Sequence, residues 1–148
     1  MIKDVEIKEL KVLKDERGRL MEILRCDDKI FKKFGQVYIT TALPGIVKAW
    51  HYHKKQDDYF TCIHGEIRLA LYDARQKSPT FKEVMEFILN MNEPKLIRIP
   101  AQVYHGFKCI SAHEAIVVNT PTMPYNRIKP DEYRVDPYLN DIPYDWKK

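Results

Sequence analysis

His51 and His53 are separated by a single residue in the run 45–65, GIVKAWHYHKKQDDYFTCIHG. The run has strand character, and alternate strand side chains share a face, so both imidazoles are predicted to project to one side. Asp57 and Asp58 follow as adjacent carboxylates, and the stretch closes on the turn pair His64-Gly65. His105 stands far along the chain in RIPAQVYHGF. Imidazole titrates nearest neutrality and is also the commonest metal ligand, so two chemistries are open to this group: proton transfer and metal coordination. His64 and His113 lack such surroundings and are read as surface or packing histidines.

The elements that must position these residues are predicted to be strands. Residues 5–13 alternate apolar and charged positions, which favours one early strand, followed by a turn at Gly18 and a second strand from Met21. Asp27 and Asp28 are candidate caps for a short helical turn ending at Gly35. QVYITTAL is rich in β-branched and aromatic residues and stops at Pro44-Gly45. YFTCI and EIRLALY are predicted to form a hairpin about His64-Gly65, and VMEFIL, KLIRI, GFKCI and AIVVN read as further strands. Ser78 to Phe81 reads as a structural turn. Many short strands with little helical periodicity predict an all-β sandwich, jelly roll or small barrel. The segment 121–148 is dense in Pro, Tyr and Asp; its Tyr125, Tyr133, Tyr138, Tyr144 and Trp146 are costly to leave in water, at about 1.5–3 kcal/mol for a large side chain, so it is expected to wrap back onto the barrel and across its mouth.

At 148 residues the chain suits one domain, with N-terminal strands and turn in 1–35, a core in 36–120 and the wrap in 121–148. A net charge of +4, spread among acids rather than clustered, argues against a nucleic-acid partner and is compatible with a small phosphorylated ligand. Three cysteines, Cys26, Cys62 and Cys109, are too few and too unevenly spaced for a disulfide framework and read as reduced thiols of a cytoplasmic protein. The N-terminal run has no apolar core of a signal peptide, and no apolar run is long enough to span a membrane.

The spacing of Gly45, His51, His53, Asp58 and Gly65 resembles the first motif of the cupin superfamily, with Asp58 where glutamate is usual. Pro100 and His105 resemble the second, with Gln102 where a glycine is common. The resemblance implies a cupin-type jelly-roll barrel. In metal-dependent cupins such positions bind one divalent ion, which would make His51, His53, Asp58 and His105 its ligands here.

A longer resemblance covers nearly the whole chain. DERGRLMEI, Gln36, GIVKAWHYH, GEI, SPTF, IPAQVYHGF and PYNRIKPDE occur in the order seen in dTDP-4-dehydrorhamnose 3,5-epimerases. That family implies a metal-free, homodimeric enzyme acting on nucleotide-linked 4-keto-6-deoxy sugars, with no cofactor. The resemblance makes His51 the base, Asp136 the carboxylate that orients it and Tyr125 the acid on the opposite face. It implies that Gln36, Lys48, His53, Asp58 and His105 face the substrate, and that Arg17 reaches the nucleotide diphosphate of a neighbouring subunit. Asp58 stands where the family has a lysine that stabilises the enolate, and Lys48 where it has an arginine. His53 or Lys54 can supply the missing positive charge; HYHKK also resembles the histidine pair of sugar 3,4-ketoisomerases. The alternatives are a metal-dependent cupin enzyme and a sugar-nucleotide-binding cupin without turnover.

Overall fold

A computed structural model describes all 148 residues and contains strands and turns but no helix. The strands are β1 (Glu6–Glu9), β2 (Val12–Asp15), β3 (Gly18–Met21), β4 (Tyr38–Ala42), β5 (Val47–Tyr52) and β6 (Asp58–His64) in the first half. The second half supplies β7 (Ile67–Asp73), β8 (Val84–Leu89), β9 (Lys95–Ile99), β10 (Val103–Cys109), β11 (Ala115–Asn119) and the short β12 (Tyr133–Arg134). One antiparallel sheet has the order β1-β9-β6-β11-β4 and faces a second of order β12-β5-β10-β7-β8; β2 and β3 form a separate hairpin. Between the sheets lies the apolar core, built from Phe60, Cys62, Ile97 and Val117 on one side and Leu69, Leu71, Leu89 and Phe107 on the other. This is the all-β jelly-roll barrel expected from the run of short strands.

Local expectations differ from the structure in four places. The strand expected to begin at Met21 instead ends there, since β3 starts at Gly18 and the turn precedes it. The pair β6 and β7 is not a hairpin: β6 pairs with β9 and β11, and β7 with β10 and β8. Strand alternation looks the same whether a chain doubles back or crosses to the facing sheet, and here it crosses at Gly65. Gly65 has φ +69, and a Cβ there would lie 2.8 Å from Ser111 Oγ and 2.9 Å from Ala115 Cα. Residues 5–13 break into β1 and β2, which belong to different sheets. Asp28 caps no helix; its carboxylate accepts the Arg25 N–H and pairs with Lys8, holding a non-helical turn.

Both terminal segments cover outer sheet faces. Leu10 and Ile30 pack on Tyr59 and Leu96 outside the first sheet, where the Tyr59 hydroxyl donates to the Ile30 carbonyl at 2.8 Å. The C-terminal segment crosses the barrel mouth at residues 123–133 and then covers the outer face of the second sheet, where Trp146 packs on Trp50 with ring centroids 5.0 Å apart. Strand β6 is therefore buried on both faces over most of its length, which is why apolar residues such as Tyr59, Phe60 and Cys62 follow one another in it without alternation.

Candidate active site

The polar end of the barrel interior is built on β5, β6 and β10. His51 and His105 are register partners on adjacent strands, and their ring centroids are 4.2 Å apart. That proximity depends on Gly106: a Cβ at this position would fall 2.2 Å from Ala49 Cβ, so only glycine lets β10 and β5 approach this closely. His53, just beyond β5, turns to the same side, with its ring centroid 6.1 Å from that of His51. Alternation along the strand thus puts His51 and His53 inside and Trp50 outside.

Asp58 joins the imidazoles. Its Oδ2 accepts from Nε2 of His53 and of His105, each at 3.0 Å, and its Oδ1 accepts from the Gln56 amide at 2.7 Å. The carboxylate is 1% exposed. Burial pushes its pKa up, but the hydrogen bonds from His105 and His53 outweigh this and hold it well below the usual carboxylate range. His53 shows the converse. Burial opposes its charge, yet Asp58 and the Asp131 carbonyl, which its Nδ1 faces, raise its pKa to about 8. The Asp131 carboxylate accepts the backbone N–H groups of Lys54, Lys55 and Gln56, fixing the mouth segment onto the loop after His53. Asp57, one residue from Asp58, faces the other way and binds Arg98, Lys32 and the Ala101 N–H.

His51 is held by ring contacts, with Phe60 at 6.5 Å centroid separation in addition to His105. Burial, followed by the positive charge available on His105, pushes its pKa well below the ordinary histidine value. A neutral imidazole facing a cavity can accept a proton. The cavity has two lobes of about 610 and 620 Å³, and the residues common to both are Tyr38, His51 and Glu132. Gln36, Lys54, Lys129 and Tyr125 line the first lobe; Lys48, Phe107 and Arg134 line the second.

The structure brings together most of the residues singled out in the sequence. His51, His53, Asp58 and His105 form one cluster. Gln36 lines the mouth, its Oε1 accepting the Tyr125 backbone N–H at 3.1 Å, and Lys48 bonds Thr40 Oγ1 at 3.1 Å. Tyr125 sits at the rim, 52% exposed. Asp136 requires correction: its carboxylate is on the surface, accepting the Tyr138 and Leu139 N–H groups, and does not orient His51. Val135 exchanges backbone bonds with Trp50 at the sheet edge and Pro137 still borders the second lobe, but between them the Asp136 carboxylate is turned onto the N–H groups of its own loop. Arg17 lies at the tip of the β2–β3 hairpin beside Asp15 and does not line this cavity. His64 and His113 pack on each other, consistent with a packing role. Tyr38 and Gln56 were not singled out by sequence reasoning; Tyr38 carried a usable signal, lying two residues from Gln36 on the same strand face.

The donor atoms of His51, Asp58 and His105 lie within 4.8 Å of one another, and the three could hold a divalent ion. His105 Nδ1 is fixed on the Val103 carbonyl at 3.0 Å, an orientation common for a ligating imidazole. His53 lies outside this three-residue group.

Comparison with known proteins agrees with this architecture. A family model described as dTDP-4-dehydrorhamnose 3,5-epimerase matches residues 1–147. The probable low-salt glycan biosynthesis epimerase Agl13 of Haloferax volcanii is 40% identical over 147 residues, covering 98% of this chain and 94% of that protein. The spore coat polysaccharide biosynthesis protein SpsL of Bacillus subtilis is 34% identical over 146 residues, covering 99% and 97%. The crystal structure of a dTDP sugar isomerase from Desulfovibrio desulfuricans G20 superposes with a TM-score of 0.93 at 31% identity, covering 99% of this chain and 92% of that one. With its jelly roll, its histidine-lined cavity and a match across nearly its full length, the chain belongs to the dTDP-4-dehydrorhamnose 3,5-epimerase family of sugar epimerases.

Proposed function

We propose that the protein epimerises or isomerises a nucleotide-linked 4-keto-6-deoxy sugar by removing a proton next to the C4 ketone. The observation that carries this reading is His51, a neutral imidazole that faces the cavity without a hydrogen-bond partner to compete for its lone pair. The ketone acidifies the C–H bonds at C3 and C5. His51 takes the proton, the C–H electron pair moves into the enolate with charge on the C4 oxygen, and a proton from the opposite side completes the inversion. Tyrosines Tyr38 and Tyr125 both line the cavity from which that proton must come.

The enolate needs a positive partner, and Asp58 in place of the expected lysine is an anion. His53 supplies the charge in this proposal: with its pKa raised to about 8 it is substantially protonated at neutral pH, and Asp58 is what keeps it so. Lys54, Lys55 and Lys129 at the mouth suit a diphosphate. A nucleotide-sugar substrate and reduced thiols suit a cytoplasmic enzyme. No helix is long and apolar enough to cross a membrane. We also propose a homodimer, since β4 is a free sheet edge with Val37, Ile39 and Leu43 exposed along it, and Arg17 then reaches the nucleotide of the second copy.

The test is NMR of deuterium uptake at C3 and C5 when 4-keto sugar nucleotides are incubated with the protein in heavy water, alongside elemental analysis. Exchange by metal-free protein, lost in His51→Asn, is the expected result. Absence of exchange with every 4-keto sugar nucleotide tried overturns the reading. The clustering of His51, Asp58 and His105 favours a second reading, in which these residues hold a divalent ion that polarises the substrate carbonyl. A stoichiometric ion lost in Asp58→Ala would support it.

A further inference from the structure

We propose that Tyr38 donates the proton to the substrate face opposite His51, making it the residue that converts exchange into inversion. The inference rests on the proton-abstraction reading above. Its starting point is the border between the two neighbouring cavities. Tyr38, His51 and Glu132 are the residues that line both, so a ligand spanning the two lies against all three. His51 projects from β5 in the second sheet and Tyr38 from β4 at the edge of the first, on facing walls.

The hydrogen bonding of Tyr38 defines which way its proton points. Asn119, the register partner of Tyr38 on β11, is fully buried. Its Oδ1 accepts the Tyr59 N–H at 2.9 Å, which fixes the amide so that Nδ2 is the group facing Tyr38. That Nδ2 donates to the Tyr38 oxygen at 2.9 Å. The phenol oxygen is thus an acceptor toward the protein, and its O–H is left to donate into the cavity. A buried amide anchored at both ends holds the oxygen in place without consuming its proton. Burial and the nearby carboxylates Asp58 and Glu132 raise the Tyr38 pKa to about 12, so the group remains protonated at neutral pH. Glu132 is occupied by the Arg134 guanidinium at 3.0 Å. Tyr125, at the rim, has only its backbone N–H engaged, on Gln36.

In the full step His51 removes the C–H proton, the electron pair passes to the C4 oxygen, and collapse of the enolate draws the Tyr38 proton onto the opposite face of the same carbon. The phenolate left behind is reprotonated by solvent through the cavity mouth, and His51 releases its proton the same way.

Tyr38→Phe separates the two halves of the reaction. In heavy water the variant is expected to incorporate deuterium at the reacting carbon with retained configuration, because only His51 can return a proton, while inversion slows by about 100-fold or more. Tyr125→Phe is expected to slow exchange and inversion together. Inversion at the wild-type rate in Tyr38→Phe overturns the proposal, and so does equal loss of exchange and inversion in that variant. Selective loss of inversion in Tyr125→Phe instead also overturns it. If Tyr38→Phe folds poorly, 3,5-difluorotyrosine placed at position 38 provides the readout: the alkaline limb of the inversion profile moves to lower pH if Tyr38 is the donor and stays in place if it is not. Wild-type protein that exchanges no proton would defeat the underlying reading rather than this assignment.

Discussion

Asp58 and Asp73 are both essentially removed from water, at 1% and 0% exposure, and both carboxylates are fully hydrogen-bonded, yet their charges are balanced differently. Asp73 accepts from Arg75 Nε at 2.8 Å and Nη2 at 2.9 Å, and from Ser78 Oγ and Thr80 Oγ1 at 2.6 Å each. These bonds overcome the upward push of burial and hold its carboxyl well below the usual range. Its positive partner is a guanidinium, which stays charged at any pH the protein meets. The partners of Asp58 are two imidazoles and a neutral amide, and its cationic partner His53 can lose its charge in the ordinary pH range. A fixed cation makes a structural knot at the end of β7, whereas a removable one makes a site whose charge depends on pH and ligand. Fold and chemistry therefore use the same buried anion with different counter-charges.

Replacing the two carboxylates sharpens the comparison most. Asp58→Asn is expected to lower substrate exchange by about 100- to 1000-fold and stability by about 3–5 kcal/mol, since it removes the charge that keeps His53 protonated and the acceptor shared by two buried imidazoles, with denaturant midpoints and NMR as the measurements. Asp73→Asn is expected to cost about 1.5–3 kcal/mol while leaving exchange per folded molecule within about twofold. A greater loss of exchange in Asp73→Asn than in Asp58→Asn would erase the distinction.

The pH dependence of stability comes next in size. The folded-state pKa of His53 is raised, so its stabilisation is complete below the unfolded value near 6.5 and is lost as pH rises through about 8, a change of up to about 2 kcal/mol. His51, with its folded pKa depressed, acts in the opposite sense: the unfolded chain binds the proton more readily, so stability falls as pH drops below about 6.5. Chemical denaturation across pH 5–9 is expected to give a maximum between these limbs. His53→Gln should remove the alkaline limb and leave the acid one. The smallest effect is Ser78→Ala, which takes one hydrogen bond from Asp73 and should cost about 1 kcal/mol without altering that pH profile.

The fold was legible because turn residues and β-branched runs report strand ends directly, but strand partners were not. The Gly65 corner shows why: nothing in YFTCIHGEIRLALY distinguishes a hairpin from a crossing between sheets, because the deciding contacts come from Ser111 and Ala115. In the site, His51 and His53 were visible from spacing alone, and Asp58 and His105 from motif context. Ser78 to Phe81 read correctly as a turn, although its service to Asp73 is a long-range fact of packing. Asp136 misled because a matching dipeptide carries no information on whether its carboxylate turns to the cavity or, as here, caps its own loop. Tyr38 was concealed in an ordinary strand sequence, its role set by a buried asparagine on β11.

Residues 50 and 51 are consecutive, and the indole of one and the imidazole of the other leave β5 in opposite directions. Trp50 is clasped from outside by Trp146 and Tyr144, while Tyr144 is tied to Glu86 on β8. The last few residues of the chain thus act as a back-plate for the strand that presents His51. Cleavage in the segment before Tyr144 is expected to let that strand breathe while the barrel stays closed, coupling the integrity of a distant tail to the aim of one ring.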